Sequence, residues 1–378
     1  MRDFEEQHAE ICVRVDGFVD SYMTGLDGWS EMSDFPPAVW QGLRESGLLG
    51  LSLPEEFGGI GGGYRALGVA ARRLNERGGV MGVTLTWLCH CMNARLHMVR
   101  LGTAGQRARW LPKLASGETT LTLAISEPGV GAHPKHLKTT ARLDGGDYVL
   151  NGEKAYLTNG PLAGLFVVLA ITDEDDGRKQ FSAILVERDM PGFKRTPGIE
   201  IDFLKPSPHC GIALTDCRVP AGNLLGDIGN AMAEISIPMR TIEDALGTSA
   251  KAGAMAAQLR MLGQPPTDAA MADFGVLLAK TEALGLLADG LAATLDENRD
   301  EGGQDPARLS AQTAGFRELA KHLNVDIAAY MGTHDVTVPD KLTTLHRDLD
   351  KSLGIAASVH RIQAAKRAKT FLEHKDQL

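Results

Sequence analysis

The first third of the chain carries apolar residues at helical spacing. Leu67, Ala70, Ala71 and Leu74 repeat at i, i+3, i+4 and i+7, which places an apolar stripe on one face of a helix. Capping residues and glycines bound further segments of the same kind. We therefore predict an all-helical N-terminal domain over residues 1–118.

The pattern changes after residue 118, where short apolar runs alternate with turn residues. The runs L-F-V-V-L-A-I-T and F-S-A-I-L-V-E are typical of buried strands, and D-E-D-D-G between them predicts a solvated hairpin loop. The pair Asn151-Gly152 predicts another hairpin turn, because both residues tolerate positive φ. These features predict a middle β domain over residues 119–222, built as a barrel or a sandwich.

Long helical stripes return in the last part of the chain. Leucines are spaced by sevens, threes and fours in two sets, which are Leu277, Leu284, Leu287, Leu291 and Leu295, and then Leu342, Leu345, Leu349 and Leu353. Because such stripes pack into antiparallel bundles, we predict a C-terminal four-helix bundle over residues 223–378. Residues 296–306 are expected to form an exposed connection within it. The fold class is α+β, in the order α, β, α.

Composition and charge exclude several classes of protein. Among 378 residues, 43% are hydrophobic and the formal net charge is −9, so nucleic acid is not expected as the main partner. No apolar run approaches the roughly 18 residues that a membrane span requires. The N-terminus is charged and lacks an apolar signal core. We expect a cytoplasmic protein without membrane attachment.

The cysteines do not predict a disulfide framework or a metal site. There are five of them, an odd number at scattered positions. Cys89-His90-Cys91 suggests metal ligands, but adjacent side chains on a helix point about 100° apart and cannot converge on one ion. We therefore predict no metal site.

The stretch S-E-P-G-V-G-A at residues 126–132 follows a predicted strand and contains two glycines. Unsubstituted backbone at Gly129 and Gly131 permits close approach of a phosphate, whose oxygens backbone N–H groups can face. More strands follow this loop, whereas a Rossmann dinucleotide fingerprint requires a helix. On spacing alone the loop is weak evidence for a phosphate site.

Five stretches, in order along the chain, resemble the acyl-CoA dehydrogenase family. They are G-L-L-G-L-S-L-P-E-E-F-G-G-I-G-G-G (47–63), L-G-T-A-G-Q-R-A-R-W-L-P-K-L-A-S-G-E (101–118), S-E-P-G-V-G-A (126–132), Y-V-L-N-G-E-K-A-Y-L-T-N (148–159) and R-V-P-A-G-N-L-L-G (218–226). The resemblance implies an FAD oxidoreductase of lipid metabolism that acts on acyl-CoA thioesters. In that family a carboxylate removes the α proton, a hydride leaves the β carbon for flavin N5, and electrons pass to an electron-transfer flavoprotein.

The resemblance also assigns roles to residues of this chain. At the FAD it places Leu123, Ile125, Ser126, Gly131, Ala132, Tyr156, Thr158 and Arg260. Tyr156 stands where the family usually has Trp and can stack on the ring, while Thr158 should hydrogen-bond near N5. Arg260 would reach the pyrophosphate of a neighbouring subunit's FAD, and Arg240 would contact substrate. The family's C-terminal helices also imply an oligomer, built as a dimer of dimers.

The chain departs from the family pattern at functional positions. Ala132 replaces a phosphate-binding Ser, and the segment A-A-Y-M-G-T-H-D retains little of the glycine-rich stretch that lies on a partner's FAD. The position of the usual catalytic Glu falls at or near Ala356, which cannot accept a proton. Glu243, on the first helix of the predicted bundle, is our candidate base. The alternative for Glu243 is a solvated carboxylate or an ion-pair partner of Arg240 or Lys251.

Three hypotheses therefore remain open. The chain is an active acyl-CoA dehydrogenase-like flavoenzyme with a displaced base, acting as a homo-oligomer. Alternatively, it is a non-catalytic subunit in a heteromer with a related acyl-CoA dehydrogenase, which would explain the loss of contacts given to a neighbour. In the third hypothesis it binds CoA thioesters without redox chemistry.

Overall fold

The computed structural model describes residues 4–297, 306–334 and 336–374, and it confirms the order of helices, sheet and helices. The helices of the N-terminal region are α1 (Phe4–Tyr22), α2 (Pro37–Glu45), α3 (Tyr64–Gly78), α4 (Met81–Asn93) and α5 (Ala104–Ala115). A π-helical segment, Ala94–Val99, continues α4. The predicted apolar stripe from Leu67 to Leu74 is buried in the helical core.

One mixed sheet forms the middle region. Its strands are β1 (Thr120–Ala124), β2 (Thr140–Asp144), β3 (Asp147–Thr158), β4 (Ala163–Asp175), β5 (Arg178–Glu187), β6 (Phe193–Thr196), β7 (His209–Pro220) and β8 (Leu224–Leu225). They lie in the order β6-β7-β3-β2-β4-β5-β8, with β1 parallel to β4. Strand β4 is buried on both faces, which explains its uninterrupted apolar run.

The hairpin between β4 and β5 is confirmed, but the turn predicted at Asn151-Gly152 is wrong. Both residues lie inside β3, and the turn that joins β2 to β3 falls at residues 145–146. The glycine is required because a Cβ at Gly152 would lie 2.7 Å from Thr139 Cα, too close for any side chain. The amide of Asn151 bonds Asp216 on β7, at a shift in the pairing of the two strands.

Long helices form the last region. They are α6 (Ile237–Leu262), α7 (Asp268–Glu297), α8 (Pro306–Thr333), α9 (Asp340–Gly354) and α10 (Ala357–His374). Helices α6 to α9 pack together through the predicted leucines, and α3 of the N-terminal region packs on α6. Most of the predicted exposed connection, residues 298–305, lies outside the described residues. Within the described residues, no helix is long and apolar enough to cross a membrane.

Candidate active site between the sheet and the C-terminal helices

A cavity of about 470 Å³ lies between the sheet and the helices, and most of the predicted site residues line it. One side, which we call the sheet wall, consists of Thr122, Leu123, Ile125, Ser126, Ala132, Ala155, Tyr156, Thr158 and His209. The opposite side, the helix wall, includes Leu85 and Cys89 of α4, Met239, Arg240 and Glu243 of α6, and Ile355 after α9. The fold thus brings together residues that are more than 200 positions apart.

Two of the predicted cofactor residues lie off this cavity. Gly131 adopts a φ of 60° and donates its N–H to the carbonyl oxygen of Glu127 at 3.1 Å, so this amide closes the loop internally. Arg260 lies near the C-terminal end of α6, half exposed, with its guanidinium 3.4 Å from Glu76 Oε1. Its role toward a neighbouring subunit stays a prediction.

The backbone of β3 directs Tyr156 into the cavity. Tyr156 has a φ of 60°, and the pairing of β3 with β7 shifts register between Lys154 and Leu157. Such a bulge bends a strand and reorients a side chain. The left-handed conformation costs an L-residue roughly 1–2 kcal/mol, so the strand is strained where the tyrosine faces the cavity.

A buried ion pair holds the loop 126–132 against β3. Lys154 Nζ lies 3.0 Å from both Glu127 Oε1 and the carbonyl oxygen of Ile125. Glu127 also accepts hydrogen bonds from the backbone N–H groups of Lys138 and Thr139 and from the Thr139 hydroxyl. Burial lowers the pKa of Lys154 to about 8, and the hydrogen bonds lower the pKa of Glu127. We call this ion pair the clasp between Lys154 and Glu127. Sequence analysis did not identify it, although Lys154 lies two residues after Gly152 and therefore on the same, core-facing side of the strand.

A second contact that sequence analysis did not identify positions the Thr158 hydroxyl. His209 Nδ1 lies 3.0 Å from the carbonyl oxygen of Ser207, so this nitrogen carries the proton. His209 Nε2 is then an acceptor, and the Thr158 hydroxyl donates to it at 3.1 Å. Burial lowers the pKa of His209, which keeps the ring neutral. The contact depends on the register of β3 with β7, which no local sequence signal reveals.

Glu243 projects from α6 onto the helix wall. Among the described residues, its carboxylate has no hydrogen-bond partner and no cation within 4.0 Å, so neither predicted ion pair forms. Desolvation, with the charge of Asp244 as a smaller contribution, raises the pKa of this carboxyl. A carboxylate whose pKa is raised is a stronger base than an ordinary one, which suits it to proton transfer.

The segment after α9 meets Glu243 at the same place. Ile355 lines the cavity, and Ala356 follows it with a φ of 55°. This is the segment where the resemblance implies the usual catalytic Glu. Neither side chain can accept a proton, so Glu243 is the carboxylate that the described residues supply to this wall.

The residues present fit a flat cofactor that carries phosphate. Asn93 lines the cavity, and its buried Oδ1 has no hydrogen-bond partner among the described residues. An orphaned buried acceptor costs about 1–3 kcal/mol, which a ligand N–H would relieve. The Ala132 N–H likewise has no acceptor in the described part of the loop. No group of His, Cys, Asp and Glu that could hold a metal occurs among the described residues.

Comparisons with known proteins agree with this arrangement. The family models for the acyl-CoA dehydrogenase N-terminal domain and middle domain match residues 5–118 and 122–217. Mitochondrial isovaleryl-CoA dehydrogenase of Solanum tuberosum is 38% identical over 204 residues, which cover 52% of this chain and 48% of the relative. The chain therefore spans about half the length of the curated relatives it matches.

Solved structures extend the likeness through the C-terminal helices. Glutaryl-CoA dehydrogenase from Mycobacterium smegmatis, in complex with FADH2, aligns with a TM-score of 0.80 and 22% identity over 96% of this chain and 94% of that one. Acyl-CoA dehydrogenase from Bacillus anthracis, complexed with FAD, aligns with a TM-score of 0.81 and 25% identity over 99% of this chain and 68% of that one.

Proposed function

We propose that this chain, which belongs to the acyl-CoA dehydrogenase family, binds FAD and removes two hydrogens from the α and β carbons of an acyl-CoA thioester. The observation that carries the proposal is Glu243. Its carboxylate opens onto the cavity and has no protein partner among the described residues, and it faces the wall on which the family holds a flavin. When bound, FAD supplies the acceptor for the hydride from the β carbon.

Glu243 takes the α proton in this proposal. Its raised pKa makes it a stronger base than a carboxylate with the ordinary pKa, and general base catalysis contributes about 10²- to 10⁴-fold to rate. Cys89, which lies on the same wall, is a poor proton acceptor because burial raises the pKa of its thiol. Arg240 adds a positive charge near the carboxylate, which favours an anionic transition state at the thioester.

The sheet wall would bind and orient the cofactor. Leu123 and Ile125 offer an apolar strand face and Tyr156 an aromatic ring, while Asn93 Oδ1, at the end of α4, adds an unused acceptor to the same cavity. The Thr158 hydroxyl already donates to His209, so it can accept a hydrogen bond from a cofactor N–H. Two solved relatives with the same fold were determined with FAD or FADH2 bound, which supports this assignment.

Partners and location form part of the same proposal. Electrons would leave to an electron-transfer flavoprotein, as the resemblance implies, in a cytoplasmic oligomer. One observation favours the second hypothesis, a heteromer with a related subunit. Tyr330, in the segment expected to lie on a partner's FAD, is buried in the helical core of its own chain beside Phe274.

The test is an absorption spectrum of the purified chain, recorded anaerobically before and after addition of acyl-CoA thioesters. A flavin spectrum that bleaches supports the proposal. A flavin spectrum unmoved by every thioester overturns catalysis by the isolated chain and favours the non-catalytic subunit. A colourless protein that stays colourless on reconstitution with FAD overturns cofactor binding by the chain alone, and co-expression with a related subunit then tests the heteromer.

A further inference from the structure

A second cavity of about 340 Å³ continues from the helix wall away from the sheet. It shares Glu243, Arg240 and Ile355 with the first cavity, so the two meet at the candidate base. Helix α4 contributes an apolar side with Met81 and Leu88. The opposite side carries charge, which is unusual for a space that would receive a hydrocarbon chain.

A row of residues on α6 creates much of this charge. Glu243, Gly247 and Lys251 are spaced by four, so they lie on one face of the helix. A Cβ at Gly247 would lie 3.1 Å from Lys251 Nζ, which shows that the ammonium folds back over the glycine toward Glu243. The ammonium therefore lies about one helical turn, roughly 6 Å, along α6 from Glu243.

The Lys251 ammonium is poorly compensated by protein. Its contact with the Gly247 carbonyl oxygen is long, 3.4 Å, and no carboxylate of the described residues comes within 4.0 Å. Desolvation lowers its pKa. Lys251 is partly buried, and a partly desolvated charge without an ion pair is unfavourable unless a ligand supplies the counter-charge.

The neighbouring charged residues do not neutralise the Lys251 ammonium. Asp244 pairs with Arg317 of α8 at 3.4 Å, and the Arg317 side chain is only 11% exposed. Arg240 adds a further cation, and His360 of α10 lines the same space. With Glu243 and Lys251 both ionised, the lining carries three cationic side chains against two anionic ones, and protonation of Glu243 increases the positive excess. The cavity is therefore complementary to an anion.

We propose that this second cavity receives the end of the acyl chain distal to the thioester, and that Lys251 binds a carboxylate there. The preferred substrates are then CoA thioesters of short dicarboxylic acids. Methylene groups would lie against the apolar side of α4, and the distal carboxylate would meet the ammonium about one turn beyond Glu243. The inference rests on the proposed function, because Glu243 fixes which end of the substrate is the thioester.

Calorimetric binding to the holoprotein tests this substrate class. Each dicarboxylic thioester is compared with the straight-chain monoacid thioester of equal carbon number: succinyl with butyryl, glutaryl with pentanoyl, and adipoyl with hexanoyl. We expect at least one dicarboxylic member to bind about tenfold tighter or more, the usual effect of a hydrogen bond to a charged group. Equal or weaker binding of every dicarboxylic member overturns the inference, whether or not any variant folds.

Two variants assign the preference to Lys251. Lys251→Met keeps the length of the side chain and should lose the preference while monoacid binding stays within about twofold; Lys251→Arg should retain part of it. The matched control is Lys321→Met, which removes a partly exposed lysine of α8 paired with Glu318, outside the lining of either cavity, and should change neither affinity. A preference that survives in folded Lys251→Met overturns the role of Lys251.

Failure of this inference is distinguishable from failure of the proposed function. If monoacid thioesters bleach the flavin and dicarboxylic thioesters bind no tighter, the dehydrogenase function is supported and the charged subsite is rejected. If a preference for dicarboxylic thioesters appears that depends on Lys251 but no thioester reduces the flavin, the subsite is supported and the redox function is rejected.

Discussion

The two walls of the active-site cavity are built in opposite ways. Behind the sheet wall Lys154 binds Glu127, and on the wall itself Thr158 binds His209, so these groups satisfy one another. On the helix side, Glu243 of the helix wall and Lys251 of the second cavity face open space without ion-pair partners among the described residues. The first arrangement is stable by itself and suits a permanently bound group. The second depends on a ligand and suits a substrate that arrives and leaves.

The largest expected effect comes from the helix wall. In Glu243→Gln the side chain keeps its shape but cannot accept a proton, so anaerobic flavin reduction by acyl-CoA should slow about 10³-fold. Flavin content should not change, because the sheet wall is intact. The control is Glu282→Gln, an exposed position on α7, which should reduce flavin at the normal rate. Stopped-flow absorbance decides, and a normal rate in Glu243→Gln would mean that the base lies elsewhere.

The next largest effect is a loss of stability when the ion pair behind the sheet wall is broken. Lys154→Met leaves Glu127 buried without its cation, and breaking such a pair from one side costs about 3–5 kcal/mol. We expect the lower end, since Glu127 keeps three other hydrogen bonds. Urea denaturation measures the loss. The double variant Glu127→Gln/Lys154→Met should recover part of it, and single and double variants of equal stability would show that the clasp contributes little.

The contributions of Glu127 and Glu243 to stability should respond to pH with opposite sign. The pKa of Glu127 is lowered by its hydrogen bonds and Lys154, so its contribution is present above about pH 4.5 and is lost as pH falls through the lowered value. The pKa of Glu243 is raised by desolvation, so its contribution is present below the unfolded value and is lost as pH rises through the raised one.

Unfolding free energies measured across the acid range would show this contrast. At neutral pH, Glu127→Gln should destabilise the chain, whereas Glu243→Gln should not, since it removes an unpaired charge from the cavity wall. Destabilisation by both substitutions would contradict the contrast between the walls.

The smallest effect tests a single hydroxyl of the sheet wall. Ala132→Ser restores the family's phosphate contact, and one added hydrogen bond is worth about 1 kcal/mol, or roughly fivefold in affinity for FAD. Fluorescence titration of the apoprotein measures the change. Ala132→Val adds bulk without the hydroxyl and should not improve binding; an equal gain in both variants would contradict the predicted contact.

The sequence predicts one wall better than the other for a physical reason. Ser126, Tyr156 and Thr158 belong to contiguous stretches, and the local chain geometry that directs them is encoded beside them. Lys251, Arg317 and His360 meet only because three long helices pack, and no short stretch records that packing. The sequence predicts Glu243 as a candidate base on the first helix of the bundle, but whether it forms an ion pair depends on packing that the sequence does not reveal.

The same reasoning explains the misplaced turn. Asn151-Gly152 has the composition of a hairpin turn, but the glycine serves the close approach of Thr139 and the asparagine serves Asp216. Both partners are distant in sequence or belong to another strand. The order of the three regions and the fold class can be predicted from the periodicity of apolar residues. The register of the strands and the positions of the bulges depend on contacts between distant residues, which that periodicity does not reveal.

The clasp between Lys154 and Glu127 also has a consequence for the kinetics of cofactor binding. Because protein contacts alone hold the loop 126–132 on β3, the loop keeps its shape before any cofactor arrives. Association then requires no ordering of backbone, so little of the binding energy is spent on entropy. A chain stripped of its flavin should take it up again in a single kinetic phase whose rate rises linearly with flavin concentration, without a slow refolding step.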